Sequence, residues 1–131
     1  MRILLDTNAL IWLIGETSES SKVGPDARNL MDEADSVSAS SISILEIRIK
    51  TMLGKLESPV DLIEDVASAG LKFLAFDELH ADTITGFPNL SRHDPFDRML
   101  LAQAKTENMV LLTSDEVLLG LALSYVINVR L

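Results

Sequence analysis

Four acidic side chains of this sequence could do chemistry together, because each lies beside an apolar run that predicts a buried strand or helix. Carboxylates held close together without partners repel one another, which raises their pKa values. Together they form an all-oxygen site that suits a hard divalent cation such as Mg²⁺ or Mn²⁺. The four acids are Asp6, Glu46, Asp97 and Asp115.

The residues around Asp97 predict a helix that begins beside this site. Asp94 is typical of a helix N-cap, and Pro95 is typical of a first helical residue, where its missing N–H costs nothing. Apolar residues then recur three, four and seven positions after Asp97, which is the spacing of a buried helix face. Asp97 is therefore expected in line with the core, at the helix end that favours negative charge.

Strand-like runs alternate with helical patterns along the chain, which predicts an α/β domain. Several of the strands are continuous apolar runs, as in a parallel sheet with helices on both faces. We expect strands at 2–5, 36–40, 71–76, 109–112 and 126–129. We expect helices at 9–14, 25–34, 43–52, 60–69, 79–85, from 95 onwards and at 116–124, with loops at 15–24 and 86–92.

In an open parallel sheet, ligands bind outside the carboxyl ends of the strands. Asp6 and Asp115 follow two of the expected strands, and Glu46 lies in the first turn of the helix after the second strand. The helix that carries Asp97 must run back from the same edge, because it leads into the fourth strand. We therefore expect the four carboxylates to converge at this edge.

Each acid also has a structural interpretation, and the residues alone leave both open. Glu46 could only close an S-x-x-E capping box. Asp97 and Asp115 could only stabilise the starts of their helices. Asp6 could only form an Asx turn with the polar residues that follow it.

Histidine and cysteine are not expected to carry the chemistry. The chain has no cysteine, which excludes disulfides, zinc–thiolate sites and cysteine nucleophiles. We expect His80 to lie at the surface or half-buried on a helix. His93 is close enough to the expected site to polarise a leaving group, but no partner is fixed by the sequence, so a structural role is favoured.

Length and composition indicate one globular domain over residues 1–131, with 47% hydrophobic and 24% charged residues. The net charge of −9 argues against binding nucleic acid through a basic surface. It fits metal-binding acids, a basic partner or simple solubility. Asp6 interrupts the apolar start before a signal peptide can form, and the run 117–129 is too short to cross a bilayer. We expect a soluble, cytoplasmic protein with no membrane contact.

Four segments together resemble PIN-domain ribonucleases and, more closely, VapC-type toxins of type II toxin–antitoxin pairs. The segments are Leu4–Leu10, Ser43–Glu46 with Ile49–Lys50 and Leu53–Leu56, His93–Leu100, and Leu111–Asp115. The resemblance covers nearly the whole chain. It implies a three-layer α/β/α sandwich with a five-stranded, mainly parallel sheet, Mg²⁺- or Mn²⁺-dependent endoribonuclease activity, and a homodimer.

The resemblance also assigns roles to individual residues. Asp6, Glu46, Asp97 and Asp115 match the catalytic and metal-binding acids of the family. Arg98 could contact phosphate or pair with Asp94, and whether Glu116 joins the site is open. The polar residues that would orient the acids or the metal-bound water are Thr7, Asn8, Ser43 and Thr113.

The reaction implied is hydrolysis of an RNA phosphodiester, with tRNA or ribosomal RNA as plausible substrates. Metal held by the acids would lower the pKa of a bound water and offset charge in the transition state. RNA contacts could come from a basic stripe on one helix or from arginines flanking the site, although ordinary solvated charges explain them equally well. The stripe is Arg48, Lys50 and Lys55, and the flanking arginines are Arg92 and Arg98.

The implied partner is a cognate VapB-type antitoxin, whose apolar side chains would fill a groove and whose basic residue would enter the acidic site. Two other classes of protein are alternatives to an active toxin. A phosphatase or receiver-like phosphotransfer domain needs an acid where Asn8 stands, or a lysine near the last strand, where the chain has Val129 and Arg130. A PIN domain that has lost its activity and serves as a binding module is the remaining alternative.

Overall fold

The computed structural model describes residues 1–15, 21–57, 61–88 and 94–131, in which five strands form one sheet. The strands are β1 (Arg2–Leu5), β2 (Ser36–Ser40), β3 (Lys72–Leu74), β4 (Val110–Thr113) and β5 (Val126–Asn128). They are parallel throughout, in the order β3-β2-β1-β4-β5. The helices are α1 (Thr7–Ile14), α2 (Pro25–Glu33), α3 (Ser41–Met52), α4 (Leu62–Ser68), α5 (Glu78–Thr83), α6 (Pro95–Thr106) and α7 (Glu116–Gly120), with a 3₁₀ turn at Ile84–Gly86.

Helices cover both faces of the sheet, because successive residues of each strand point to opposite sides. Ile3 and Leu5 of β1 pack in a cluster with residues of α1, α2 and α4, whereas Leu4 packs with residues of α6 and α7. Strands buried on both faces need continuous apolar runs, which β1 and β4 supply. The predicted α/β/α sandwich with a five-stranded parallel sheet is confirmed.

The predicted elements form at the expected places, and their bounds differ by a few residues. β3 and α7 are shorter than the predicted 71–76 and 116–124. α3 begins two residues earlier than predicted, because Ser40 caps it by accepting a hydrogen bond from the amide of Ile42 at 3.0 Å. Parts of the predicted loops 15–24 and 86–92, and the first residue of the predicted helix 60–69, lie outside the described residues.

The start of α6 is the element that positions Asp97, and it forms as the sequence predicts. Asp94 caps the helix by accepting a hydrogen bond from the amide of Phe96 at 2.8 Å, and Pro95 is the first helical residue. The apolar residues Leu100, Leu101 and Ala104 are fully buried. Asp97 therefore stands in the first turn, on the side of the helix that faces the core.

The longest helices are short compared with the lipid bilayer. α3 and α6 have 12 residues each, whereas a membrane-spanning helix needs about 20 apolar residues. Within the part of the chain that the structure describes, none of the helices combines the length and apolar character that crossing a membrane requires.

Candidate metal centre

Asp6 is held where β1 ends and α1 begins. Its side chain is 3% exposed, and its Oδ1 caps α1 by accepting a hydrogen bond from the amide of Ala9 at 2.7 Å. Its Oδ2 accepts from Thr113 Oγ1 at 2.6 Å and from the amide of Ser114 at 3.1 Å, both at the end of β4. These contacts differ from the Asx turn that was the alternative structural interpretation of Asp6. A carboxylate has about four acceptor sites, so Asp6 retains capacity for a cation.

Glu46 is a buried acid with one satisfied and one unsatisfied oxygen. The residue is 4% exposed, and Oε2 lies 2.7 Å from the ammonium nitrogen of Lys50, one helical turn further along α3. Oε1 is buried and has no hydrogen-bond partner within the described residues. A buried carboxylate oxygen without a partner is costly, and a bound ion is one of the explanations for such an atom.

The predicted capping box of Ser43 and Glu46 is wrong. Because α3 begins at Ser41, Ser43 lies inside the helix and Glu46 lies in its second turn, not its first. Ser43 is instead a buried acceptor, whose Oγ receives a hydrogen bond from Thr7 Oγ1 at 3.0 Å. This bond links the start of α1 to α3.

Asp97 and Asp115 are close enough to share a hydrogen bond between their side chains. Burial, followed by the negative charge of Asp115 and this hydrogen bond, raises the pKa of Asp97 to about 8, and the charges of Asp94 and Glu46 add to the rise. Asp115 also caps α7, since its Oδ1 accepts from the amide of Leu118 at 2.9 Å. Asp115 therefore both caps α7, as its structural interpretation expects, and belongs to the acidic cluster.

Electrostatic contacts link all four acids at the carboxyl edge of the sheet. Burial raises the pKa of Asp6, and the charge of Glu46 contributes to the rise, while its three hydrogen bonds oppose it. Glu46 in turn raises the pKa of Asp97, which contacts Asp115. These electrostatic interactions run from Asp6 through Glu46 and Asp97 to Asp115, and they relate residues from four separate segments at one edge.

The supporting residues divide into those that contact the acids and those that do not. Thr113 contacts two of the acids, because its Oγ1 donates a hydrogen bond to Asp6 and accepts one from the amide of Asp115 at 3.0 Å. Asn8 is exposed on α1. No ion pair between Arg98 and Asp94 is found in the described ranges, and Arg98 Nε is buried without a hydrogen-bond partner. Arg92 and His93 lie outside the described residues.

The predicted basic stripe on α3 does not form one surface. Positions 48 and 50 are two residues apart on a helix and therefore point in different directions, and Lys55 follows Gly54 beyond the end of α3. Lys50 lies among the acids instead, where its hydrogen bond with Glu46 raises its pKa, assisted by the charges of Asp94 and Asp97. The four-residue spacing of Glu46 and Lys50 is the sequence signal that would have indicated this pair.

A second group of possible metal ligands lies at the other end of α6. Its members are Asp77, His80 and Glu107, whose ligand atoms all lie within 4.8 Å of one another. Asp97 and Glu107 are ten residues apart, about 15 Å along a helix, so the two clusters are separate. Among the described residues, no three of the four predicted acids bring carboxylate oxygens within 4.8 Å of one another.

The histidine of this second group is satisfied by the protein itself. His80 Nδ1 accepts from the amide of Asp77 at 3.0 Å, and Nε2 lies 2.8 Å from Glu107 Oε1. His80 is only 1% exposed, so the prediction of a surface or half-buried position is wrong. Sequence reasoning missed this burial because Glu107 is 27 residues away. The contacts explain the group as a structural link between α5 and α6.

The chemistry of the donor set at the carboxyl edge fits a hard divalent cation. All its donors are carboxylate oxygens, the preference of Mg²⁺ and Mn²⁺. Within the described residues Glu46 Oε1 lacks a partner, and burial, with a smaller contribution from neighbouring negative charge, raises the pKa of both Asp6 and Asp97, so a counter-ion would stabilise their charged forms. By contrast, a cavity of about 630 Å³ lies at the opposite edge, near Arg28, Ser36 and Gly70, and contains none of the four acids.

A family model, that of the PIN domain, matches residues 3–122. Because this is most of the chain, the protein belongs to the PIN-domain family. Comparison with curated protein sequences gave no match.

Several solved structures share the fold at low sequence identity. A chain of VapBC2 from Rickettsia felis, bound to a DNA fragment from its promoter, is 16% identical with a TM-score of 0.66, over 98% of this chain and 97% of that chain. A toxin–antitoxin complex from Klebsiella pneumoniae is 17% identical with a TM-score of 0.65, over 96% of each chain. FitAcB from Neisseria gonorrhoeae is 20% identical with a TM-score of 0.62, again over 96% of each.

The raised pKa of Asp97 predicts how the stability of the metal-free protein depends on pH. The folded state holds the proton more tightly than the unfolded state, whose reference pKa is 3.8. The stabilisation from Asp97 is thus complete below about pH 4 and is lost as the pH rises towards 8. We expect the free energy of unfolding of Asp97→Asn to fall less than that of the wild type between pH 5 and pH 8. Urea denaturation in the presence of EDTA measures this difference.

The control for this experiment is Asp82→Asn, which removes an exposed acid of α5. This variant should follow the wild-type pH dependence. Equal slopes for Asp97→Asn and the wild type would contradict the placement of Asp97 in a crowded acidic cluster.

Proposed function

We propose that this protein is a metal-dependent endoribonuclease that acts as the toxin of a type II toxin–antitoxin pair. The observation that carries the proposal is the cluster of Asp6, Glu46, Asp97 and Asp115 at the carboxyl edge of a PIN fold, with a buried Glu46 oxygen that finds no partner among the described residues. The acids would hold Mg²⁺ or Mn²⁺. Residues 1–131 would form a single PIN domain that works in the cytoplasm as a homodimer.

The bound ion would lower the pKa of a water molecule and offset negative charge in the transition state of phosphodiester hydrolysis. The protein fixes the ligands in advance, since three hydrogen bonds hold Asp6 and the amide of Leu118 holds Asp115. Thr113 fixes the positions of these two acids relative to each other, because it is hydrogen-bonded to both residues. Such prior positioning lowers the reorganisation needed during the reaction. No histidine or lysine base is required.

An antitoxin partner is supported by the nature of the structural neighbours and by charge. The neighbours named above include toxin–antitoxin complexes from two organisms, and one is bound to promoter DNA. A chain with a net charge of −9 is poorly suited to hold duplex DNA itself. In a complex of this protein, the DNA contacts would therefore fall to a basic antitoxin, which the acidic surface would also attract.

The proposed activity predicts metal-dependent cleavage of a mixed pool of tRNA and ribosomal RNA. With Mg²⁺ or Mn²⁺ the wild type should give discrete products, and EDTA should abolish them. Asp97→Asn removes a ligand and should lower the cleavage rate by at least about 100-fold, since even outer-shell substitutions cost about 10- to 100-fold. Product formation is followed on denaturing gels.

Asp82→Asn is the matched control and should cleave like the wild type. Full activity of the Asp97→Asn variant would show that Asp97 is not a metal ligand of the active site. Absence of cleavage by the wild type, with a melting temperature raised by Mn²⁺, would indicate a narrow substrate that the pool lacks. Absence of both cleavage and stabilisation would favour an inactive binding module.

The toxin role predicts an effect on growth that depends on the same site. Induced expression without a partner should slow the growth of a bacterial host, because RNA cleavage limits translation. Asp97→Asn at the same soluble level should allow normal growth. Growth curves with matched immunoblots test this, and undisturbed growth at confirmed soluble expression of the wild type would contradict the toxin assignment.

A further inference from the structure

Lys50 places an ammonium group inside the acidic cluster. Its nitrogen lies 2.7 Å from Glu46 Oε2, and it interacts electrostatically with Asp94 and Asp97 at the start of α6. A cation therefore occupies part of the cluster that is proposed to bind metal. Its position raises the question whether Lys50 replaces the metal or acts beside it.

The two carboxylate oxygens of Glu46 have different surroundings, which indicates that Lys50 and a metal ion can bind at the same time. Lys50 contacts Oε2, and Oε1 is buried without a partner in the part of the chain that the structure describes. An ammonium that filled the place of a metal would be expected to satisfy the buried oxygen as well. The arrangement instead leaves one oxygen of Glu46 for a cation and gives the other to Lys50, so both can be present together.

Lys50 is also accessible to a substrate. Its side chain is 40% exposed, whereas that of Glu46 is 5% exposed. An ammonium carries three N–H donors, and the contact with Glu46 uses one of them. A phosphate that approaches the buried acids can therefore meet Lys50 at the rim of the site, and a lysine can bind phosphate as a point charge.

We propose that Lys50 contacts a non-bridging oxygen of the scissile phosphate while it remains bound to Glu46. The inference rests on the proposed nuclease function and extends it by one residue. Lys50 neutralises charge on the phosphoryl group at a position that the carboxylates would otherwise repel. No bond to Lys50 forms or breaks.

The test uses Lys50→Gln, which removes the charge, and Lys50→Arg, which keeps it. Lys72→Gln serves as the matched control, because Lys72 is an exposed lysine at the start of β3, away from the carboxyl edge of the sheet. Mn²⁺ binding is measured by the electron paramagnetic resonance of free Mn²⁺. Cleavage is measured at saturating Mn²⁺, and binding of fluorescein-labelled mixed-sequence RNA is measured with Ca²⁺ in place of the catalytic metal.

We expect Lys50→Gln to bind Mn²⁺ at least as tightly as the wild type, because it removes a competing positive charge. Its cleavage rate and its RNA affinity should each fall by about 10- to 100-fold, the effect of losing one charge-assisted hydrogen bond. Lys50→Arg should recover most of this loss, and Lys72→Gln should match the wild type.

Three results would contradict the contact between Lys50 and phosphate or distinguish its failure from failure of the nuclease proposal. If Lys50→Gln loses Mn²⁺ binding and regains full cleavage when Mn²⁺ is raised, Lys50 only positions Glu46. If the wild type and Lys50→Gln cleave and bind RNA equally, the contact with phosphate is wrong and the nuclease assignment stands. If the wild type neither cleaves RNA nor binds Mn²⁺ but Lys50→Gln weakens RNA binding, Lys50 contacts RNA phosphate in a binding module and the nuclease assignment fails.

Discussion

Repulsion among buried carboxylates is the constraint on which this structure depends. Burial raises the pKa of both Asp6 and Asp97, and each also feels the charge of Glu46. The protein keeps these groups together by hydrogen bonds from Thr113 and from backbone amides, and by one ammonium on Glu46. Such an arrangement costs stability in the absence of a counter-ion, so its persistence argues for binding of a cation.

The central strands explain how distant segments reach this edge. β1 and β4 are paired neighbours in which Leu5 lies opposite Leu112, so the residues that follow them, Asp6 and Thr113, are brought within hydrogen-bond distance. α6 returns from the same edge towards β4, which places its first turn beside the strand ends. The parallel topology, not any local sequence feature, brings the acids together.

The sequence predicted the sheet and the start of α6, because apolar runs and an Asp-Pro cap act locally, whereas the role of the four acids stays a prediction. It misplaced the start of α3, since Ser40 and Ser43 can each cap a helix and only the end of β2 decides between them. It also missed the burial of His80, whose partner is far along the chain. Long-range pairs and competing caps are what local patterns cannot resolve.

The four acids at the carboxyl edge are proposed to form the cation site. Anomalous diffraction from crystals soaked in Mn²⁺ would locate the ion, because it distinguishes this cluster from the group of Asp77, His80 and Glu107. We expect an anomalous peak bonded to Glu46 Oε1 and to carboxylate oxygens of Asp6 or Asp97. A peak only between His80 and Glu107, or no peak in fully soaked crystals, would contradict it.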